Sequence, residues 1–151
     1  MKLIRALFTL LFPERPSETI VADLTPESLG TLAEPTQGER NIVCLLPYRA
    51  PLVNACIREA KFHANPKAWT LLGSILADYV RELESDWNTF EDHQIILVPI
   101  PLSKRRMKER GHNQVERIAE SARTSYAHLR IEKTLLVRVR DTLPQAGLRS
   151  H

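Results

Sequence analysis

Apolar residues recur at intervals of three and four positions along three stretches of the chain, a spacing that predicts amphipathic helices. The longest stretch follows Asn65, a helix-capping residue, and Pro66, which suits the first helical position. Its predicted buried positions are Ala68, Leu71, Leu72, Ile75, Leu76, Tyr79, Val80 and Leu83. A helix over 50–62 is predicted to bury Val53, Cys56, Ile57 and Ala60 and to expose Arg58, Glu59 and Lys61. A third helix, over 113–126, is predicted to bury Val115, Ile118, Ala119, Ala122 and Tyr126.

Short apolar runs predict three strands, at Asn41–Leu46, Ile95–Val98 and Thr134–Val139. The middle run ends at Pro99, and its continuous apolar character is typical of a strand buried on both faces of a parallel sheet. The acidic stretch 82–92 before it is interpreted as a solvated connection. The order of strand, helices, strand, helix and strand predicts an α/β domain with right-handed crossovers.

The first 40 residues are interpreted as an N-terminal helix and an irregular linker, ahead of the domain at 41–151. A proline and charged residues follow the apolar run Ala6–Phe12, which favours a short amphipathic helix over a signal peptide. Weak contact of this run with a membrane surface is the alternative. The composition from Pro13 to Arg40 predicts a linker or lid outside the core, with one or two helical turns that open at Thr25.

Charge is distributed unevenly along the chain. Residues 1–101 carry 9 Lys/Arg and 13 Asp/Glu, a net charge of −4, whereas residues 102–151 carry 12 and 5, a net charge of +7. An anionic partner is therefore expected to meet the C-terminal third. The overall composition, 43% hydrophobic and 26% charged, is typical of one soluble domain, and stable membrane insertion is not expected.

Cysteine and histidine usage predicts a cytoplasmic protein without a metal site. Two cysteines fit a reducing compartment and cannot hold a metal by themselves, and Cys44 is interpreted as a small core residue. The five histidines do not cluster in the sequence, and His112 either responds to a bound anion or fills space. No Gly-rich phosphate loop, nucleophile elbow or carboxylate pair is present, so no catalytic residue is assigned.

Five cations crowd into seven residues directly after the middle strand: Lys104, Arg105, Arg106, Lys108 and Arg110. Residues 103–109 can form a helical turn, and Gly111, Asn113 and Gln114 then open a new helix. Strand, basic loop and helix start, in this order, form an anion site in open α/β sheets. Repulsion among the cations calls for a counter-anion, and a di- or triphosphate suits paired Arg donors and nearby backbone N–H groups. The alternative is an ordinary solvated helix face.

A secondary cluster of polar residues follows the third predicted strand. Arg138 and Arg140 can reach a phosphate across the expected site, and Gln145 offers an amide to a ribose or base. A surface turn, punctuated by Pro144 and Gly147, is the alternative that these residues favour when taken alone.

Three segments resemble the ComF family of competence-associated proteins, which carry a type I phosphoribosyltransferase domain. The resemblance covers roughly residues 40–149 and is carried by Tyr48–Phe62 (YRAPLVNACIREAKF), Val98–Gln114 (VPIPLSKRRMKERGHNQ) and Leu136–Leu148 (LVRVRDTLPQAGL). It implies a type I phosphoribosyltransferase-like parallel sheet with flanking helices. It also implies that phosphoribosyl pyrophosphate or pyrophosphate is bound by Lys104, Arg105, Arg106, Arg110, Gly111, Asn113 and Gln114.

The chain departs from the family pattern in ways that bear on activity. Segment 13–40 has no cysteine where relatives often carry a four-cysteine zinc finger, so no zinc is expected. His112 stands where an aromatic residue usually precedes the Asn-Gln pair. Neither paired Asp residues nor a Thr/Gly-rich ribose-phosphate loop occurs before His151, so an incomplete, truncated domain with little catalysis is expected. Mg²⁺ is expected only in a full-length relative.

Two functions from different classes follow from these observations. One is a phosphoribosyltransferase-like protein of DNA uptake or nucleotide salvage with a pyrophosphate-binding basic loop. The other is a non-enzymatic accessory that binds single-stranded DNA or a competence helicase through the basic C-terminal third. The absence of aromatic residues among the cations argues against the second, because single-strand binding usually uses stacking platforms.

Overall fold

The fold is built along one helix of 22 residues, and the computed structural model describes residues 15–87 and 94–141 of the chain. The elements in chain order are α1 (Pro16–Asp23), α2 (Pro26–Gly30), β1 (Thr36–Gln37), a 3₁₀ turn (Glu39–Asn41), β2 (Val43–Cys44), α3 (Pro51–Phe62), α4 (Pro66–Trp87), β3 (Ile96–Leu97), α5 (Lys104–Arg110), α6 (Gln114–Ser125) and β4 (Arg130–Ile131). Mixed helices and short strands make this an α/β protein. The predicted helix at the N-terminus lies outside the described residues.

The predicted long helix is confirmed as α4. The Asn65 side-chain oxygen accepts a hydrogen bond from the Lys67 backbone N–H at 3.0 Å, and Pro66 occupies the first helical position. The helix continues to Trp87, so the interpretation of 82–92 as a connection is wrong for its first half. Helical spacing extends through Glu82 and Asp86, whose exposed carboxylates are compatible with a solvated helix face.

The predicted helix over 50–62 is confirmed as α3, but one residue that was predicted to be exposed is buried. Val53, Cys56 and Ala60 are buried as predicted, whereas Glu59 has no exposed surface. Glu59 accepts hydrogen bonds from Arg15 and Ser17, which compensate the burial of its carboxylate. Both partners lie far away in the chain, so the spacing of apolar residues within α3 could not indicate them.

Segment 13–40 contributes to the core, so its interpretation as a linker outside the core is wrong. The predicted helical start at Thr25 is confirmed, and a capping box joins Thr25 and Ser28 at the start of α2. Val21 of α1 and Leu29 of α2 are fully buried in the same apolar cluster as Val53. The short helices α1 and α2 therefore pack on α3 and α4, where a linker or lid with one or two helical turns was expected.

The strand predicted at 41–46 is shorter and more exposed than expected. Only Val43–Cys44 forms a strand, paired antiparallel with β1 through Thr36↔Cys44. Cys44 is exposed, so its assignment to the core is wrong. This hairpin is a surface feature, and its apolar residues gain little from burial.

One parallel pair forms among the described residues, between the predicted middle strand and a strand at Arg130–Ile131 that was not predicted, and the antiparallel β1–β2 pair is a separate sheet. β3 pairs with β4 in the registers Ile96↔Arg130 and Leu97↔Ile131, with α5 and α6 between them in the chain. Burial of the middle strand on both faces is wrong, because Ile96 is 43% exposed.

The strand predicted at Thr134–Val139 is wrong. The chain pairs earlier, at Arg130–Ile131, and the Glu132 N–H donates to the Leu97 carbonyl at 2.9 Å. The short β3 is thereby paired before residue 134 is reached. The apolar residues of the predicted strand lie exposed in irregular chain: Leu135, Leu136, Val137 and Val139.

Two apolar clusters lie along α4. The first surrounds the start of the helix and contains Leu71 and Ile75 together with residues of α1, α2 and α3. The second surrounds its later turns and contains Ala77 and Val80 together with Ala122 of α6. Helix α6 confirms the helix predicted over 113–126, although Val115 is 38% exposed rather than buried.

Candidate anion site

The basic segment after β3 is a helix rather than a loop, as the predicted helical turn over 103–109 indicated. Ser103 caps it by accepting the Arg106 backbone N–H at 3.3 Å, and Gly111 ends it in the left-handed region at φ 72°. A helical segment spreads five cations around its axis instead of crowding them together. Residues four apart share a face, so Arg106 and Arg110 lie on one side.

A cluster of three cations forms where the end of α3 meets this face of α5. Lys61, the penultimate residue of α3, joins Arg106 and Arg110. Partial burial lowers the pKa of Lys61, and the nearby Arg110 and Arg106 charges lower it further. Partial burial, followed by the Arg106 charge, likewise lowers the pKa of Arg110. We call these three residues the cation cluster; its members repel one another.

An exposed aromatic ring lies within the cation cluster. Phe62 is 57% exposed, with the Lys61 ammonium 4.9 Å and the Arg110 guanidinium carbon 5.5 Å from its ring centroid. Cation–π contact partly compensates the crowded charges. Sequence reasoning placed Lys61 on a solvated face and assigned Phe62 no role. Because residues 62 and 110 are far apart in the chain, the sequence does not indicate that they meet. The only hint in the sequence is an aromatic residue at the end of a predicted helix.

The remaining predicted cations lie elsewhere on α5. Lys104 and Lys108 are exposed. Arg105 donates to Asp141 at 2.9 Å and contacts Glu109 at 3.5 Å. The hydrogen bond that Arg105 donates to Asp141 raises the pKa of Arg105, and hydrogen bonds from Ser103 and Arg105 lower the pKa of Asp141. The charge of Arg105 is therefore compensated within the protein.

The polar residues after α5 have structural partners. The buried Asn113 caps α6 through a 3.2 Å bond from the Val115 N–H, and its amide donates to the Ile100 carbonyl at 3.0 Å. The Gln114 side-chain oxygen accepts from Arg110 at 3.1 Å. Asn113 thus fixes the start of α6 to the chain leaving β3, and Gln114 orients a guanidinium of the cation cluster.

His112 joins the ends of α3 and α5. Its Nδ1 lies 2.9 Å from the Arg110 carbonyl oxygen and its Nε2 lies 3.0 Å from the Ala60 carbonyl oxygen. The residue is buried, with 8% of its surface exposed. The Ala60 oxygen also accepts the Trp69 indole N–H at 3.1 Å, and the Trp69 and His112 ring centroids are 5.3 Å apart. The ring therefore links the backbone that carries Lys61 to the backbone that carries Arg110.

The secondary cluster is only partly described. Arg138 donates to the Arg140 carbonyl at 3.2 Å, and Asp141 brings this segment to the start of α5 through Arg105. Gln145 lies outside the described residues. The segment is thus adjacent to the start of α5.

The surface at the exit of β3 differs from the expected cationic cradle. A small cleft there is lined by Pro99, Pro101, Leu102, Met107, Asn113, Glu116 and Lys133. The Lys133 ammonium is paired with Glu116 at 2.6 Å and Glu120 at 2.5 Å. Of the α5 cations, Arg106 and Arg110 lie toward the end of α3, and none of the five lines this cleft.

Among residues 15–87 and 94–141, no three His, Cys, Asp or Glu side chains are grouped so as to hold a metal ion. Over the same ranges, no helix combines the length and apolar character required to cross a bilayer.

No protein-family profile, curated protein or solved structure matches the chain.

Proposed function

We propose that the chain is a phosphoribosyltransferase-like protein of the ComF type that binds a diphosphate, free or as part of phosphoribosyl pyrophosphate. The proposal concerns binding and assigns no catalytic residue. It is supported by the three sequence segments that resemble that family and by the parallel β3–β4 pair with intervening helices. A cytoplasmic location and a role in DNA uptake or nucleotide salvage are part of the proposal.

The observation that carries the proposal is the meeting of Lys61 and Arg110 at one exposed ring, with the Lys61 ammonium 4.9 Å and the Arg110 guanidinium carbon 5.5 Å from the Phe62 centroid. Burial and the neighbouring cations together lower the pKa of Lys61, so the charged form is held at a cost. A dianion placed among Lys61, Arg106 and Arg110 would offset that cost and receive charge-assisted hydrogen bonds. Pyrophosphate fits this requirement better than a single monoanion because it carries more charge and more acceptor oxygens.

Titration with pyrophosphate and with sulfate at two ionic strengths tests the proposal. A shaped site should continue to prefer pyrophosphate at moderate salt, whereas diffuse attraction should fade for both anions. Arg110→Gln and Lys61→Gln should each weaken pyrophosphate binding about tenfold, corresponding to one lost charge-assisted bond. Arg123→Gln, a change at an exposed cation of α6 outside the basic segment, serves as the control. Equal binding of both anions, abolished by salt, would contradict the proposal.

A second function is favoured by one specific observation. The exposed Phe62 ring among the cations removes the sequence argument against single-stranded DNA binding by a non-enzymatic accessory. An anion that draws Lys61 or Arg110 away from the ring would free a face on which a base can stack. Binding of a competence helicase belongs to this same alternative.

Phe62→Leu separates the two functions. Under the second function, it should weaken binding of a labelled oligothymidylate at least fivefold, because base–aromatic stacking contributes about 1–3 kcal/mol per base. Under the first function, pyrophosphate affinity should change little, because Lys61, Arg106 and Arg110 are retained. Fluorescence anisotropy at several salt concentrations measures the DNA arm, and calorimetry measures the pyrophosphate arm.

A further inference from the structure

A second cleft lies along α4 and shares no residue with the cation cluster. Three stretches of chain enclose it: the end of α2 with the residues that follow, the two ends of the β1–β2 hairpin, and successive turns of α4. Its described lining consists of Gly30, Ala33, Pro35, Leu45, Ile75, Asp78, Tyr79 and Glu82. We call it the α4 cleft.

Most of this lining is apolar. Ile75 is buried in the first apolar cluster, and Ala33 and Leu45 are partly buried against the same cluster. The cleft encloses about 200 Å³ of space, whereas one water molecule occupies about 30 Å³ of liquid. Several water molecules therefore fit, but those beside Ile75 and Leu45 have few polar partners. An apolar group that displaces such poorly held water gains free energy.

The size of the α4 cleft selects a small ligand. Pockets for drug-sized ligands usually measure about 300–1,000 Å³, and a closed apolar cavity of about 150 Å³ accepts one benzene ring. At about 200 Å³, the α4 cleft accommodates one ring or a short alkyl chain. The missing side chain of Gly30 contributes to this space, since a Cβ there would lie 3.9 Å from the Ile75 Cδ1.

The charged residues of the lining are acidic. Asp78 and Glu82 lie four positions apart on α4, so their carboxylates share one face of the helix. Arg81 pairs with Asp78 at 2.5 Å and partly compensates it. Within residues 15–87 and 94–141, the Glu82 carboxylate makes no ion pair, and no Lys, Arg or His lines the cleft. The exposed Glu34 adds a further negative charge to the segment between α2 and β1.

We propose that the α4 cleft binds a small organic cation, a primary amine that carries one ring or a short alkyl chain. Its ammonium group pairs with Glu82 and Asp78, and its apolar body lies against Ile75 and Leu45. The apolar lining supplies the burial, and the carboxylates select a cation over neutral or anionic molecules of the same shape. The inference is independent of the proposed diphosphate site, because the two sites share no residue.

Titration of the full ¹⁵N-labelled chain with three probes of similar shape tests the inference. The probes are phenethylamine, phenethyl alcohol and phenylpropionate, which are cationic, neutral and anionic at neutral pH. At low ionic strength the amine should bind about fivefold more tightly than the alcohol, because exposed ion pairs are individually weak. Phenylpropionate should bind least. Shifts of the Gly30 and Leu45 amide signals locate the bound probe, and added salt should reduce the preference for the amine.

Two variants separate the charge of the cleft from its space. Glu82→Gln keeps the size of the side chain and should reduce the preference for the amine over the alcohol to about twofold, with Asp78 still present. Gly30→Leu places a side chain in the space and should abolish binding of all three probes. Glu109→Gln, at an exposed carboxylate on α5, is the matched control and should retain wild-type affinities.

Each contrary outcome overturns a stated part of the inference. Equal affinities for the three probes would overturn the selection of cations. Absence of shifts at the Gly30 and Leu45 amides with phenethylamine would overturn the site itself. An unchanged preference in Glu82→Gln would remove that carboxylate from the site. If Gly30→Leu fails to fold, the probe series on wild type and Glu82→Gln decides, and pyrophosphate binding is unaffected by any of these results.

Discussion

The Arg15 guanidinium donates to both oxygens of the buried Glu59 carboxylate, to Oε1 at 3.2 Å and to Oε2 at 3.0 Å. Ser17 adds a 2.7 Å bond to Oε1, and Asn65 adds a 3.2 Å bond to Oε2. This one carboxylate therefore joins the start of α1, the body of α3 and the cap of α4. The paired Arg15 cation and the neutral donors Ser17 and Asn65 compensate the buried negative charge of Glu59.

Glu59→Gln should destabilise the protein by about 2 kcal/mol, because hydrogen bonds to a charged group are replaced by weaker or mismatched ones. The amide keeps the side chain's size but presents an N–H toward donors. Urea unfolding followed by circular dichroism measures the change. Glu82→Gln, at an exposed position of α4, should shift the midpoint very little. Equal midpoints for wild type and Glu59→Gln would show that the carboxylate contributes nothing to stability.

Acid should remove the contribution of Glu59. Burial alone would raise the pKa of this carboxyl, but hydrogen bonds from Arg15, Ser17 and Asn65 lower it to about 2 from its ordinary 4.5. Because the unfolded state then binds the proton more readily, the contribution is complete above about pH 5 and is lost as pH falls toward 2. The free energy of unfolding should decline less steeply over this range in Glu59→Gln than in wild type. Identical slopes would contradict the assignment.

Local patterns in the sequence predict α3, α4 and α6 and the helical turns that begin at Thr25 and Ser103, but they miss α1. Asn65 and Pro66 fix the start of α4, and Thr25 and Ser103 cap the helices that follow them. Each of these signals acts within four residues, where the chain itself brings the partners together. Their success reflects that short range.

Contacts between distant segments are what the sequence does not predict. Glu59 was placed on a solvated face because helical spacing cannot show that Arg15 pairs with it from 44 positions away. Phe62 and Arg110 similarly meet only once the chain has folded and the ends of α3 and α5 lie side by side. Apolar content predicts a strand at 134–139, but β3 pairs with residues 130–131, which precede that run in the chain.

Gly73→Ala should disrupt the packing of α4 against α6. A Cβ at this position would lie 2.7 Å from the Ser121 Cβ and 2.9 Å from the Ala122 backbone nitrogen, so one helix must move. A loss of about 1–3 kcal/mol in the free energy of unfolding is expected. Gly30→Ala is the control, because its Cβ would meet only the Ile75 Cδ1 at 3.9 Å. A neutral Gly73→Ala would indicate that the helices separate at little cost.

The two cysteines should differ in reactivity. Burial raises the pKa of the fully buried Cys56 to about 11, whereas Cys44 is exposed. Iodoacetamide at pH 8 should modify Cys44 rapidly and Cys56 only when the protein unfolds, as followed by peptide mass spectrometry. Cys44→Ser should therefore leave the native protein almost unreactive. Rapid modification of Cys56 in native buffer would contradict its burial.

Helix α4 is shared by both apolar clusters, with Leu71 and Ile75 in one and Ala77 and Val80 in the other. Unfolding of either end of this helix removes side chains from the cluster at that end. It also shortens the run of backbone hydrogen bonds that holds the helix together at the other cluster. The described parts of the chain should consequently lose structure in a single concerted step. Amide hydrogen exchange along α4 should slow uniformly toward its middle, without a boundary between two independently opening halves.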